Sequence, residues 1–182
     1  MSIQIFILSK LMEGNDYPYN IKKLISDPIP LDKIRGITES KLYYHFESLA
    51  KQGLIEVVEV IKEVKRPDRQ VYRITEKGRL ELPNKIYKVF TNANTVNEMI
   101  LGITNLKYVD STIVIQILEK KLEGIRAIEE SRIVLEGQPN VDRQEPAYRF
   151  MNDYFSESLQ SNIYWLKKLI NGIREGEFNS EK

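Results

Sequence analysis

The sequence predicts a mainly α-helical protein with one small β-hairpin near the end of its N-terminal half. Apolar residues recur at helical spacing over most of the 182 residues, whereas a stretch between Leu54 and Ile74 alternates β-branched and charged residues. Glycine and proline residues separate these segments. The order of elements favours two domains, residues 1–90 with the hairpin and residues 91–182 with helices alone.

Composition excludes several kinds of site. The chain has no cysteine and a single histidine, His45, so disulfides, thiolate zinc sites and multi-histidine metal sites within one chain are excluded. No run of about 18 apolar residues is present, and the first residues lack the basic segment and cleavage site of a signal peptide. We therefore expect no cofactor, no metal, no membrane segment and a cytoplasmic location.

Two helices are predicted before residue 27. The first has apolar residues at helical spacing from residue 3 to residue 12 and ends at Gly14. Pro18 suits the first position of the second helix, which should end before the prolines at positions 28 and 30. A loop or short helical turn then leads to residue 37. The buried residues predicted for the second helix are Tyr19, Ile21, Leu24 and Ile25.

A third helix is predicted to begin after Thr38, which is a suitable N-cap, and to end at Gly53. Leu42, Phe46 and Leu49 follow one another at i, i+4 and i+7, so they should form its buried side.

The phase of this buried side also places the residues near the start of the third helix. Tyr43 should be half-buried, while Tyr44 and His45 should be exposed. A catalytic His45 would need a nucleophile and an orienting acid, and nothing near it in the sequence supplies both. We therefore expect that the protein is not an enzyme.

Two β-strands and a further helix complete the N-terminal half. Strand residues run from Leu54 to Lys62 and from Val71 to Ile74, on either side of a charged turn, and Thr75 caps the next helix. Three helices followed by a two-stranded hairpin form the winged helix-turn-helix arrangement, in which the hairpin tip is the wing.

In this arrangement the third helix enters the major groove of DNA, and the wing lies against the adjacent minor groove or the backbone. Lysine, serine and tyrosine side chains near a helix N-terminus can donate to phosphates. For the wing alone, a solvated charged tip is an equally good interpretation. The candidate DNA contacts are Thr38, Ser40, Lys41, Tyr43, Tyr44 and His45 on the helix, and Lys62, Lys65, Arg66 and Arg69 on the wing.

The two halves of the chain differ slightly in net charge. Residues 1–90 hold 16 Lys and Arg against 12 Asp and Glu, a net charge of +4, while residues 91–182 hold 11 against 14, a net charge of −3. A basic first half fits DNA binding. Residues 38–52 have a net charge of zero, which is low for a strong phosphate binder. An alternative hypothesis is therefore a winged-helix protein-interaction module without DNA binding.

The C-terminal half is predicted to contain three helices. A short one covers residues 96–103, and a long one, capped by Asp110 or Ser111, extends to about residue 135. Pro146 can begin the third helix, which should end near residue 173. Its apolar residues follow steps of three and four, as in a coiled-coil seam. The seam consists of Tyr148, Met151, Phe155, Leu159, Ile163, Leu166, Ile170 and Ile173.

These helices carry more apolar surface than they can bury by themselves, so a second copy of the chain is expected to cover it. Aromatic residues also cluster on the last helix, and such a stripe is more typical of a core or dimer interface than of a ligand site, so we assign no effector residues. The cluster consists of Tyr148, Phe150, Tyr154, Phe155, Tyr164 and Trp165.

The N-terminal half contains three ordered blocks, at residues 13–23, 40–55 and 66–78, and together they resemble the PadR-like family of transcriptional regulators. The first runs over residues 13–23 and includes Tyr19-Asn20-Ile21-Lys22. The second combines Ser40-Lys41-Leu42-Tyr43 with residues 49–55, which end in Gly-Leu-Ile. The third is the Arg66-Pro67-Asp68-Arg69 wing followed by residues 72–78, Tyr-Arg-Ile-Thr-Glu-Lys-Gly. The chain departs from the family's usual His-Gly pair at Tyr17-Pro18.

The resemblance implies a homodimeric transcriptional repressor that binds a near-palindromic operator in double-stranded DNA. It also implies dimerisation through the C-terminal helices and, as in some members, release of DNA when a phenolic or apolar small molecule binds. Carried over onto this sequence, it gives Tyr43, Arg66 and Arg69 as DNA contacts. We include Tyr19, the tyrosine of the first block, among the expected contacts.

Overall fold

The computed structural model describes residues 2–25, 38–62, 68–136 and 145–178. Within these ranges the protein is mainly helical with one two-stranded antiparallel sheet, as predicted. The chain forms two compact units, residues 1–86 and 87–182. In chain order the described elements are α1 (Ser2–Glu13), α2 (Pro18–Ile25), α3 (Glu39–Lys51), β1 (Ile55–Ile61), β2 (Arg69–Ile74), α4 (Glu76–Asn92), α5 (Val96–Ile103), a 3₁₀ turn (Leu106–Tyr108), α6 (Ser111–Glu136) and α7 (Pro146–Arg174).

The core of the N-terminal unit is formed where α1 packs on α3 and β2. Ile5, Leu8 and Leu11 of α1 are buried, because spacings of three residues keep them on one side of the helix. They face a hydrophobic side of α3, and the ring of Phe46 on α3 lies 4.9 Å from the ring of Tyr72 on β2, measured between centroids. This contact joins the third helix to the sheet.

Helix α2 packs on α3 and begins at Pro18, as predicted. Ile21 is fully buried, but the prediction that Tyr19 and Leu24 are buried is wrong, since they are 49% and 41% exposed. At about 100° per residue, Tyr19 lies on nearly the opposite side of the helix from Ile21. Leu24 lies in the last turn of this eight-residue helix. The side chain of Ile25, and the loop or turn predicted over residues 26–37, lie outside the described residues.

The hairpin pairs β1 with β2 in antiparallel register, from Ile55 opposite Ile74 to Ile61 opposite Arg69. The register shifts between Val57 and Glu59, as in a β-bulge. Only Ile55 among the residues of β1 is buried, because the rest of the strand extends beyond the core. The β-branched residues that predicted this strand are therefore exposed, namely Val57, Val58, Val60 and Ile61.

The start of α4 fits closely against the end of α3. The Thr75 hydroxyl accepts a hydrogen bond from the backbone N–H of Gly78 and donates one to the carbonyl of Gly53, at 3.1 and 2.7 Å. A Cβ atom at Gly78 would lie 2.1 Å from the carbonyl oxygen of Leu54, so no larger residue fits there without a backbone shift. Thr75 caps α4 as the sequence predicted.

The C-terminal unit contains α5, α6 and α7, and α6 packs along α7. The Asp110 carboxylate accepts a hydrogen bond from the backbone N–H of Thr112 at 2.8 Å, so it caps α6 as predicted. Val114, Leu118 and Leu122 of α6 are buried, whereas Ile128 further along the same stripe is exposed. No helix among the described residues is long and apolar enough to cross a membrane.

The predicted seam of α7 is buried only in its C-terminal half. Ile163, Leu166, Ile170 and Ile173 are buried within the C-terminal unit. Towards the start of the helix, Met151 and Phe155 are exposed although they belong to the same seam. Within the described ranges, the chain therefore covers only part of this apolar surface.

Candidate nucleic-acid interface

Helix α3 begins with a hydrogen-bonded cap. The Thr38 hydroxyl accepts a hydrogen bond from the backbone N–H of Lys41 at 3.3 Å, and the backbone of Thr38 is extended, as an N-cap requires. After the helix, Gly53 has φ of 70°, the left-handed conformation in which glycine ends helices readily. The two predicted boundary residues are confirmed.

The two sides of α3 differ sharply in exposure. Leu42, Phe46 and Leu49 are buried as predicted. Tyr43 is 44% exposed and Tyr44 is 66% exposed, in the order that the helix phase predicted.

The exposed residues at and just after the N-cap of α3 are called the α3 surface here: Thr38, Ser40, Lys41, Tyr43 and Tyr44. Its hydroxyl and ammonium groups are hydrogen-bond donors. A helix N-terminus also carries positive potential. The α3 surface is therefore chemically suited to phosphates and base edges.

His45 differs from its prediction as an exposed residue, because it is half-buried. Its Nδ1 atom is buried and has no hydrogen-bond partner among the described residues. The ring packs edge-on against Tyr44, with 5.5 Å between centroids. Burial lowers the pKa of His45 from its ordinary value of 6.5, because the charged imidazolium loses solvent. His45 is therefore neutral at pH 7 and adds no charge to the α3 surface.

Of the four wing residues predicted from the sequence, Lys62 is exposed and Arg69 is half-buried. Lys65 and Arg66 lie outside the described residues. Arg69 donates a hydrogen bond from Nη1 to the Tyr17 hydroxyl at 3.3 Å, and its guanidinium carbon lies 5.2 Å from the centre of the Tyr17 ring. The wing is thus attached at its base to the residue that precedes α2.

A residue that the sequence interpretation missed lies next to Tyr19 on α2. The Lys23 ammonium lies 5.0 Å from the centre of the Tyr19 ring, a distance typical of a cation–π contact. Both side chains are exposed. Their spacing of four residues on a helix would have predicted this neighbourhood. Tyr19 and Lys23 thus form a small aromatic and basic surface that runs along α2 from its first to its last turn.

The described residues contain no group of three or more His, Asp or Glu side chains that could hold a metal ion. Two charged side chains on the strands of the hairpin form an ion pair. Arg73 of β2 donates to the Glu56 carboxylate at 2.7 and 3.1 Å. This pair lies across the two strands and is exposed, so its effect on stability is small.

Comparison with known proteins agrees with the fold. Residues 7–84 match the model of the family described as "Transcriptional regulator PadR-like family". No similar protein was found among curated proteins. The family consists of transcriptional regulators and not of enzymes, in agreement with the expectation from the sequence.

Several solved structures are similar at low identity. Bacillus subtilis PadR in complex with operator DNA is 16% identical, with a TM-score of 0.44 over 95% of this chain and 99% of that chain. The protein smu.1604c of Streptococcus mutans is 19% identical, with a TM-score of 0.40 over 91% and 96%. A PadR family transcription regulator of Clostridium difficile is 23% identical, with a TM-score of 0.39 over 47% and 83%.

The family match spans α2, α3, the hairpin and most of α1, which are the elements that build the α3 surface and the wing. The part of the chain that forms the winged helix-turn-helix is therefore similar to the PadR-like family of transcriptional regulators.

Proposed function

We propose that this protein is a homodimeric transcriptional repressor that binds a near-palindromic operator in double-stranded DNA. The observation that carries the proposal is the division of α3 into a buried apolar side and an exposed polar side that begins at a capped N-terminus. In a helix-turn-helix, such a helix lies in the major groove with its first residues at the base edges. Thr38, Ser40, Lys41, Tyr43 and Tyr44 are the proposed contacts.

Phosphate binding must come largely from outside α3. Lys41 and Lys51 are balanced by Glu39 and Glu47 over residues 38–52, and His45 is neutral. We therefore assign most of the salt-dependent affinity to the wing and to the exposed side of α2. The residues proposed for this role are Tyr19, Lys23, Lys62, Lys65, Arg66 and Arg69.

The proposal of a dimer is supported by the apolar residues that one chain leaves uncovered. Phe150, Met151, Tyr154 and Phe155 lie within two turns of α7 and are between 45% and 70% exposed. An apolar patch of this kind is typical of a surface that another protein covers. A second copy related by a two-fold axis would present two α3 helices to successive half-sites about 34 Å apart.

We propose further that a small apolar or phenolic molecule releases the protein from DNA. The C-terminal unit carries exposed aromatic rings suited to such a molecule, including Tyr164 and Trp165 on α7. Ligand binding shifts the population away from DNA only if the ligand prefers a dimer geometry that the operator does not fit. A phenolic acid such as p-coumaric acid is a suitable probe, and loss of operator binding in its presence would support this role.

The alternative of a protein-interaction module is favoured by two observations. Residues 38–52 have no net charge, and β1 exposes four β-branched residues along the hairpin. The salt dependence of binding distinguishes the two functions. DNA binding should weaken steeply as salt rises, because it releases counterions from the DNA, whereas an apolar protein interface releases none.

The test is to select binding sites from a random duplex library and to measure affinity for the selected site by fluorescence anisotropy at two salt concentrations. We expect selective binding that weakens as salt rises. Tyr43→Ala should weaken binding by roughly 10-fold or more, since a side chain at base edges contributes on the order of 1–3 kcal/mol. The matched control is Lys120→Ala on the exposed side of α6, which should bind as the wild type does. An empty selection would instead favour the interaction module.

A further inference from the structure

Tyr17 and Arg69 form a pair that connects distant parts of the N-terminal unit. They are 52 residues apart in the sequence, yet the Arg69 Nη1 donates to the Tyr17 hydroxyl at 3.3 Å. The same guanidinium lies over the Tyr17 ring, 5.2 Å from its centre. A hydrogen bond at the edge of the ring and a cation–π contact at its face together restrict both the position and the plane of the guanidinium.

The backbone of Tyr17 is itself held on both sides. On one side, Asp16 pairs with Tyr72 of β2, with its N–H donating to the Tyr72 carbonyl at 3.1 Å and its carbonyl accepting at 2.8 Å. On the other side, the Tyr17 carbonyl accepts hydrogen bonds from the backbone N–H groups of Asn20 and Ile21 at the start of α2.

The Asp16 side chain also restrains the backbone of Tyr17. Its carboxylate accepts from the backbone N–H of Tyr17 at 2.8 Å and from the Asn20 amide at 2.9 and 3.0 Å. The backbone of Tyr17, from which its ring extends, is therefore held by the sheet and by α2 together.

Arg69 lies at the base of the wing, where its side chain contacts Tyr17. It is the first residue of β2 and lies opposite Ile61 of β1. An arginine side chain otherwise loses much rotamer freedom when it binds a phosphate, and a side chain that is already ordered loses less. A guanidinium binds a phosphate through two parallel N–H donors, so its orientation decides whether this bidentate contact forms.

We infer that Tyr17 is a positioning residue that holds the Arg69 guanidinium at the base of the wing for contact with a DNA phosphate. This inference rests on the proposed DNA binding and gives a role to a residue at which the chain departs from the family's usual His-Gly pair. Tyr17 does not itself need to touch DNA. Its effect on binding operates through Arg69, so it disappears when Arg69 is replaced.

The experiment is a double-mutant cycle on the selected operator duplex, with affinity measured over a range of salt concentrations. Arg69→Gln should weaken binding by about 10-fold and reduce the salt dependence by about one phosphate contact. Tyr17→Leu should weaken wild-type binding by about 3- to 10-fold with a similar reduction in salt dependence. In the Arg69→Gln background, Tyr17→Leu should change affinity by less than about 2-fold.

Tyr17→Phe serves as the conservative variant, because it keeps the ring and removes only the hydroxyl acceptor. It should fold as the wild type does and retain most of the affinity that Tyr17→Leu loses. If Tyr17→Leu does not fold, Tyr17→Phe in both Arg69 backgrounds replaces it in the cycle, with an expected loss of about 2-fold in the wild-type background alone.

Two results would overturn the inference while leaving DNA binding intact. One is an equal loss from the Tyr17 variant in both Arg69 backgrounds, and the other is a loss of affinity with unchanged salt dependence. Either would mean that Tyr17 acts only on the stability of the fold. If instead the wild type binds no selected duplex, the proposed function itself fails.

Discussion

Helices α3 and α7 are both amphipathic, but their outer sides differ. The outer side of α3 carries hydroxyl groups and a lysine next to a capped N-terminus. The first half of α7 instead exposes Phe150, Met151, Tyr154 and Phe155. The inner side of α3 and the seam residues in the C-terminal half of α7 are both buried within their own units. The contrast therefore lies in the residues that each helix leaves exposed.

The difference indicates two different partners. A polar surface rich in donors is stable in water and can exchange water for phosphates and base edges. An apolar surface of several aromatic residues gains free energy only when another apolar surface covers it. The α3 surface therefore suits a polyanion, and the start of α7 suits a second protein chain.

Replacing Phe46 should give the largest effect, since it tests the inner side of α3. Phe46→Ala removes a buried ring that packs on Tyr72 and should lower the free energy of unfolding by about 3–5 kcal/mol. Tyr44→Ala on the outer side should change it by no more than about 0.5 kcal/mol. Urea denaturation followed by circular dichroism measures both. Equal losses of unfolding free energy would show that the inner side of α3 contributes no more to stability than the outer side does.

A charge at the start of α7 should act on assembly instead. Phe155→Glu places a carboxylate where a second chain is proposed to bury an aromatic ring, so the dimer dissociation constant should rise at least about 30-fold. Sedimentation equilibrium measures this constant. Lys120→Glu on α6, which also exchanges an exposed residue for a carboxylate, is the control and should leave it unchanged. A dimer that tolerates Phe155→Glu would require a different interface.

The features of α3 that could be predicted from sequence are local ones. An N-cap, a buried stripe and a C-terminal glycine depend on residues within one or two turns, and Thr38, Leu42 and Gly53 all behave as their spacing indicates. The burial of His45 could not be predicted in this way. It depends on what packs beside the helix, which spacing does not determine.

The wing and α7 also have contacts that local sequence patterns could not predict, and these contacts involve residues farther apart. Contact between Tyr17 and Arg69 requires the hairpin to return to the start of α2, 52 residues away, and neither residue carries a local signal of the other. On α7, the steps of three and four residues correctly place Met151 and Ile163 on one seam. They do not show that only Ile163 is covered within the chain.

A smaller effect should come from the cap of α3. Thr38→Ala removes the hydroxyl that accepts from the Lys41 N–H and should lower the free energy of unfolding by about 1 kcal/mol. Thr38→Ser keeps the acceptor and should be close to wild type. Thr38→Asp sharpens the test, because it keeps the cap but adds a negative charge to the α3 surface. Its stability should be retained while its operator affinity falls, as denaturation and anisotropy would show.

Retained affinity in Thr38→Asp would place the DNA backbone away from the start of α3. The polar start of α3 would then still differ from the apolar start of α7, but this difference would have no role in DNA binding.

The smallest expected effect is a pH dependence that originates at His45. Burial lowers the pKa of this imidazole in the folded protein, so the unfolded chain binds the proton more readily. The stabilising contribution is therefore fully present above the unfolded pKa of about 6.5 and is lost as the pH falls towards and below the lower folded value.

His45→Gln removes the titrating group while keeping a polar side chain of similar length. Between pH 7.5 and pH 5.5, the urea midpoint of the wild type should fall more than that of His45→Gln. Parallel pH profiles would mean that the imidazole is as well solvated in the folded protein as in the unfolded chain. The burial of Nδ1 would then have no effect on how the stability of the protein depends on pH.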